Sequence, residues 1–162
     1  MPAPDSTTYD FDESARAGSA GEARVAAHLR EHGFQVTLAA TLAEQFAGID
    51  MYATSQEGEC RSLEVKTDRL AHRTGNAAVE TVSNDRTGRP GWIHTTTADF
   101  ILYLVEVDDV LYWLRPDAMR AELPAWERSC RRFAAPNRGY RTLGLLVPLS
   151  EFERVADRAV SL

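Results

Sequence analysis

Leu63-Glu64-Val65-Lys66, read together with the earlier Gly48-Ile49-Asp50, decides the fold. Four residues alternating apolar and charged read as a half-buried strand, in which positions two apart share a face. Glu64 and Lys66 therefore point one way, and Leu63 and Val65 the other. Asp50 opens another apolar run, Ile49 to Thr54, and Gln56-Glu57-Gly58-Glu59 has the composition of a hairpin turn. The chain returns as a strand from Cys60 to Thr67, which sets Asp50 beside Glu64 across the pair. Two facing carboxylates repel unless a divalent cation lies between them. A solvated face with an ordinary Glu-Lys pair is the alternative. Against it, Ile49, Leu63 and Val65 make the opposite face apolar, which leaves the acidic face as a polar surface expected to lie beneath a helix.

Lys66 is the single lysine among 18 basic residues; the other seventeen are arginine. Arginine replaces lysine where charge alone is wanted, but not where a compact, strongly hydrated point charge is needed. A pair of carboxylates and an ammonium at this spacing suits metal-dependent phosphodiester chemistry.

Toward the N-terminus, Ala15 to His32 has helical periodicity, with Gly33 as the C-cap. Val25, Ala26 and Leu29 share one face, and Glu22 falls in the middle of it. A buried, unpaired carboxylate is costly. Glu22 is therefore either paired or near a metal, or it sits in a first turn that the helix dipole favours; the helix alone leaves both open. Phe34 to Leu38 alternates as a strand, and residues 39–48 connect it to the next.

Downstream, residues 68–97 are polar, with breakers at Thr74-Gly75-Asn76 and Arg86 to Gly91 and a short strand around Ala78 to Val82. A long irregular stretch of this kind usually carries function. Phe100 to Val107 and Val110 to Leu114 form a hairpin. Pro116 starts a helix to Leu123, residues 124–140 read as an arginine-rich loop, Leu143 to Val147 is a strand, and a last helix runs to Val160. Residues 1–13 read as a disordered tail and 14–162 as a single domain. The order predicts an α/β protein: one α/β/α sandwich with a mixed central sheet.

The 162 residues suffice for one real core. No apolar run approaches the roughly 20 residues that span a bilayer, and the acidic N-terminus does not read as a signal peptide, so a cytoplasmic protein is expected. Cys60 and Cys130 are expected to be reduced and buried. The net charge of −6 argues against nucleic acid, but it is uneven. Residues 115–141 carry seven arginines against Asp117, Glu122 and Glu127, and binding follows the local patch.

The helical Glu22, the strand-opening Asp50 and the tripeptide Glu64-Val65-Lys66, in that order, resemble the PD-(D/E)xK nuclease superfamily over roughly residues 15–106. Ile49 stands where that signature has its proline. Lys66-Thr67-Asp68, Thr74-Gly75-Asn76, Glu80, Gly91-Trp92-Ile93 and Ala98-Asp99 look like its phage and bacterial endonuclease-like subset. The resemblance implies a restriction-endonuclease-like core and a metal-dependent endonuclease that hydrolyses phosphodiester bonds in DNA. Asp50, Glu64, the Val65 carbonyl and Glu22 would hold Mg²⁺, with Mn²⁺ as a substitute, and Lys66 would orient water and stabilise charge on phosphorus. RNA stays open as a substrate, and so does a homodimer. A nuclease fold that has lost catalysis and serves as a binding module is the alternative.

Further candidates surround this set. Glu80 is either an extra acid or an exposed strand residue. Arg69, Arg73, Asn76, Arg86, Arg89, Trp92 and His94 are candidate nucleic-acid contacts, as are Arg128, Arg131, Arg132 and Arg138, with solvated or packing roles as the alternative. His28 and His32 have the spacing of a helical metal pair but lack a third ligand, so surface histidines are expected.

Overall fold

The computed structural model describes residues 11–162. In chain order the elements are α1 (Phe11–Glu31), β1 (Gln35–Leu38), α2 (Leu42–Phe46), β2 (Met51–Thr54), β3 (Cys60–Asp68), α3 (Ala71–Thr74), β4 (Asn76–Asn84), β5 (Arg89–Pro90), α4 (Trp92–Thr95), β6 (Phe100–Val105), β7 (Val110–Leu114), α5 (Pro116–Ser129), β8 (Arg131–Pro136), β9 (Arg141–Pro148), α6 (Leu149–Val155) and β10 (Arg158–Ser161).

The strands form two sheets. A six-stranded mixed sheet has the order β1-β2-β3-β6-β7-β10, and a four-stranded sheet has the order β5-β4-β9-β8. β3 and β6 pair in parallel; every other pair is antiparallel. The apolar stripe of α1, Val25, Ala26 and Leu29, packs on Leu63, Val65, Leu102, Leu104, Leu111 and Trp113 of the large sheet. Its opposite face, through Ile101, Tyr103, Tyr112 and Leu114, packs on Ala77, Val79, Leu145 and Val147 of the small sheet and on Met119, Leu123, Trp126 and Phe152 of α5 and α6. No described helix is long and apolar enough to cross a membrane.

The mixed α/β architecture with a mixed central sheet is therefore present, and the local signals around the hairpin hold: Gly33 and Gly58 both adopt positive φ, 87° each. Four assignments need correction. Residues 68–97 are not an irregular loop: β4 spans nine residues there and is flanked by α3, β5 and α4. Residues 124–140 are not a loop either, because α5 continues through Pro124 on its exposed face and β8 follows. The last helix stops at Val155, and β10 closes the sheet edge against β7. Cys60 is exposed rather than buried, and Cys130 is partly buried; both are free thiols. The N-terminal tail assigned to 1–13 lies outside the described residues up to position 10, and positions 11–13 already belong to α1.

The ladder of the large sheet is interrupted beside β3. β2 pairs with β3 only from Met51↔Leu63 onward, whereas β3 runs on beside β6 through Asp68↔Val105. From Glu64 onward β3 has lost its β2 neighbour, and the edge opens as a notch.

Candidate active site

Asp50 stands at the mouth of this notch. Its peptide N–H still donates to Leu63 O at 2.9 Å, as the ladder demands. Its carboxylate then takes the place of the missing strand, with Oδ2 accepting the Val65 N–H at 2.7 Å. Strand residues two apart present their peptide groups to the same edge, so the Val65 carbonyl also faces the notch. Asp50 Oδ1 makes no hydrogen bond among the described residues.

Glu64 and Lys66 share a face, as the alternation requires. Lys66 Nζ lies 2.6 Å from Glu64 Oε1, with the lysine side chain 31% exposed and the glutamate 7%. Glu64 Oε2 is buried with no hydrogen-bond partner. Gly48, at φ 72°, packs against that oxygen: a Cβ there would sit 3.1 Å from Oε2 and 3.0 Å from the Thr96 Cα. A buried carboxylate oxygen without a donor is expensive, and Lys66 compensates only one of the two.

Glu22 arrives from α1, and here the geometry differs from expectation. The helix covers the Leu63 and Val65 face, so Glu64 and Lys66 do not lie beneath it. Glu22 reaches the group around the open edge of β3. Partial burial raises its pKa above the ordinary carboxylate value, the Asp50 charge raises it further, and Lys66 pulls it back in part. Gly21 makes this approach possible, because a Cβ there would strike Thr67 Oγ1 on β3. This glycine is a determinant that helix periodicity hides, since a glycine inside a helix reads only as a weak point.

Glu80 comes from the other sheet. It is half-buried, not an exposed strand residue, and desolvation raises its pKa. Lys66, the Trp92 peptide N–H and Arg89 oppose that rise, and the Glu64 charge adds to it. Trp92 begins α4, and its ring lies 5.8 Å from Lys66 Nζ, within cation–π range. Arg120 on α5 pins α4 in place, donating from Nε to Ile93 O at 2.7 Å and from Nη2 to Thr96 O at 2.6 Å. Period-two burial of Ala77 and Val79 was the available signal for Glu80. Nothing in the sequence around Arg120 marks its role.

Four carboxylates thus share one electrostatic neighbourhood with a single ammonium. The imbalance suits a hard cation with oxygen ligands, and Glu64 Oε2 and Asp50 Oδ1 are oxygens that the protein itself leaves unused. Among the described residues no three His, Cys, Asp or Glu side chains form a cage for an ion by themselves. An ion here would also depend on the Val65 carbonyl, water and substrate oxygens.

The outlying candidates scatter. Arg69 is held by Glu106 at 2.8 Å. Asn76 closes its own turn on Thr74 O at 2.8 Å. Asp68 caps α3 through the N–H groups of Leu70 and Ala71 and accepts the Tyr103 hydroxyl, a structural role. His94 and Arg73 are exposed. The His28 and His32 rings lie 4.2 Å apart between centroids, tilted by 38°, at the C-terminal end of α1.

Carboxylate partners divide the arginines. Arg24, Arg61, Arg69, Arg115, Arg120, Arg141 and Arg154 each form an ion pair. Among the described residues Arg73, Arg86, Arg89, Arg128, Arg131, Arg132 and Arg138 have none, and all seven lie in or beside the small sheet. Two more without a carboxylate lie elsewhere: Arg30 donates to Val36 O, and Arg158 stacks on the Trp113 ring.

No protein-family model and no curated protein matches the sequence. Among solved structures the chain is similar to a bacterial homing endonuclease, with a TM-score of 0.51 and 18% sequence identity, covering 66% of this chain and 72% of that one. At this identity the likeness establishes a shared fold, an α/β architecture built on a mixed central sheet.

Proposed function

We propose that the protein is a metal-dependent DNA endonuclease of the PD-(D/E)xK type. The observation that carries this reading is the buried Glu64, its Oε1 2.6 Å from Lys66 Nζ and its Oε2 unsatisfied, next to the Asp50 carboxylate that replaces β2 at the break in the β2–β3 ladder. The fold shared with a homing endonuclease supports DNA as the substrate.

Asp50, Glu64 and the Val65 carbonyl would hold Mg²⁺ or Mn²⁺, with Glu22 and Glu80 at its periphery. Such an ion supplies Lewis acidity toward a phosphodiester and lowers the pKa of a water. Lys66, partly exposed and paired with Glu64, would place a positive charge toward an attacking water and the charge growing on the phosphate. Asp50 uses one oxygen to hold β3 in place and presents the other to the notch. The Trp92 ring lies 5.8 Å from Lys66 Nζ and borders the lysine on one side.

The test is cleavage of supercoiled plasmid with Mg²⁺ by the wild type and by Asp50→Ala and Lys66→Ala. Each variant is expected to lose about 10²-fold or more, the scale of removing one electrostatic contributor. Wild-type cutting by either variant overturns the assignment. A divalent ion that binds the folded state is also expected to raise Tm, by mass action, and Asp50→Ala to remove that rise. DNA binding without cleavage in any divalent metal, together with an unchanged Tm, would instead favour an inactive binding module.

A further inference from the structure

We propose that the outer face of the small sheet is the platform that holds duplex DNA against the acidic notch, an inference that rests on the nuclease reading above. The register places Ala78, Leu146 and Arg131 in one row across β4, β9 and β8, and Glu80, Gly144 and Phe133 in the next. Residues paired directly across strands share a face. Val79 and Leu145 lie on the other face, inside the core. Leu146 and Phe133 belong to neither core cluster, so the outer face has no apolar layer over it among the described residues.

Three observations assign the occupant. First, this face adjoins the candidate site at its edge: the Glu80 backbone packs against Gly91, and the ring of Trp92, the next residue, lies 5.8 Å from Lys66 Nζ. Second, its floor is low. Ala78 and Gly144 carry almost no side chain, and a Cβ at Gly144 would strike both the Val79 carbonyl and the Phe133 ring, so the ring lies across the glycine. Third, the charge is that of a polyanion site. In a chain of net charge −6, Arg131, Arg138 and Arg86 on or beside this face have no carboxylate partner among the described residues. Arg86 donates to Gly139 O at 2.9 Å, which ties the β4–β5 turn to the β8–β9 turn and fixes the rim. An antiparallel ribbon is one of the elements that a major groove, about 12 Å wide, admits. The arginines would then meet phosphates, and Phe133 and Leu146 the groove floor.

The experiment measures anisotropy of a short fluorescent duplex with the full chain in EDTA, across a salt series. It is run in parallel with Mg²⁺-dependent cleavage and a thermal melt of each variant. The double variant Arg131→Ala/Arg138→Ala is expected to weaken binding about tenfold and to flatten the salt slope by about two, one unit for each phosphate that is no longer neutralised. Leu146→Glu, which places a negative charge on the floor without touching an arginine, is expected to weaken binding comparably. Arg61→Ala, an exposed and paired arginine on β3, is expected to bind as wild type. If the wild type cuts DNA and both face variants bind as tightly as it does, the platform is overturned and the nuclease reading survives; the face is then left to a protein partner. Weakening by Leu146→Glu with the arginine pair unaffected also overturns it, because charge complementarity is the claim. If the wild type neither binds nor cuts, both readings fall together.

Discussion

Glu80 and Lys66 belong to different sheets, yet the lysine is the largest opposing influence on the burial that raises the glutamate's pKa. The candidate site is therefore not a property of the β2–β3 hairpin alone. One of its four carboxylates is delivered by β4, and the Trp92 ring by the start of α4.

Lys66→Arg should fail to restore activity. Nζ sits 2.6 Å from Glu64 Oε1 and beside the Trp92 ring. A planar guanidinium needs more room and spreads its charge over a fork. Plasmid cleavage is expected to fall about 10²-fold, close to the loss in Lys66→Ala. An arginine variant that cuts within about twofold of wild type would show that charge alone matters at this position.

Stability should depend on pH through the raised carboxyls. Glu80 and Glu22 hold their protons to higher pH in the folded chain than the ordinary value of 4.5 allows in the unfolded one. The folded state then binds more protons at these two groups, so their contribution to stability is full below 4.5 and is lost as pH rises through the folded pKa. Glu80→Gln cannot titrate and should melt higher than wild type in metal-free buffer near neutral pH. The gain should vanish in acid. Melting curves with EDTA across the range from acid to neutral decide it, and a glutamine variant that is less stable at neutral pH would refute the electrostatic account.

Gly21→Ala tests how closely α1 must approach β3. An alanine in an exposed helix interior stabilises by up to about 1 kcal/mol. Here its Cβ would collide with Thr67 Oγ1, so the sign should reverse, with a loss of about 1–3 kcal/mol from overpacking. Denaturant unfolding gives the number. Because Glu22 is the next residue, cleavage should drop as well, and Gly21→Ala combined with Thr67→Gly, which removes the obstruction, should recover part of it. A fully stable and active single variant would show that the close approach places nothing.

The elements around the hairpin were legible because their signals are local. Leu63 to Lys66 alternates, Gly58 supplies the positive φ of the turn, and Val25, Ala26 and Leu29 repeat at helical spacing. β4 and β8 were not, because their apolar faces are thin. Ala77 and Val79 are small, and in Arg131 to Pro136 only Phe133 and Ala135 are shielded at all. Such strands exist through their partners: β4 registers with β9 from Asn76↔Pro148 to Val82↔Leu143. Pro124 misled as a helix stop because it lies on the solvent side of α5, while Leu123 and Trp126 hold that helix to the core. In the site, Asp50, Glu64 and Lys66 were visible from spacing, and the structure brings Glu22 to them. Glu80 is not legible in the same way, because its neighbourhood is built across two sheets.

The registration of β4 with β9 has a temporal meaning. Glu80 is translated long before residues 141–148, and until those residues emerge β4 lacks its long antiparallel partner. A ribosome-bound fragment that already contains Asp50, Glu64 and Lys66 would still lack the β9 partner of the strand that carries Glu80. The complete candidate site therefore depends on residues that lie far downstream of its own carboxylates.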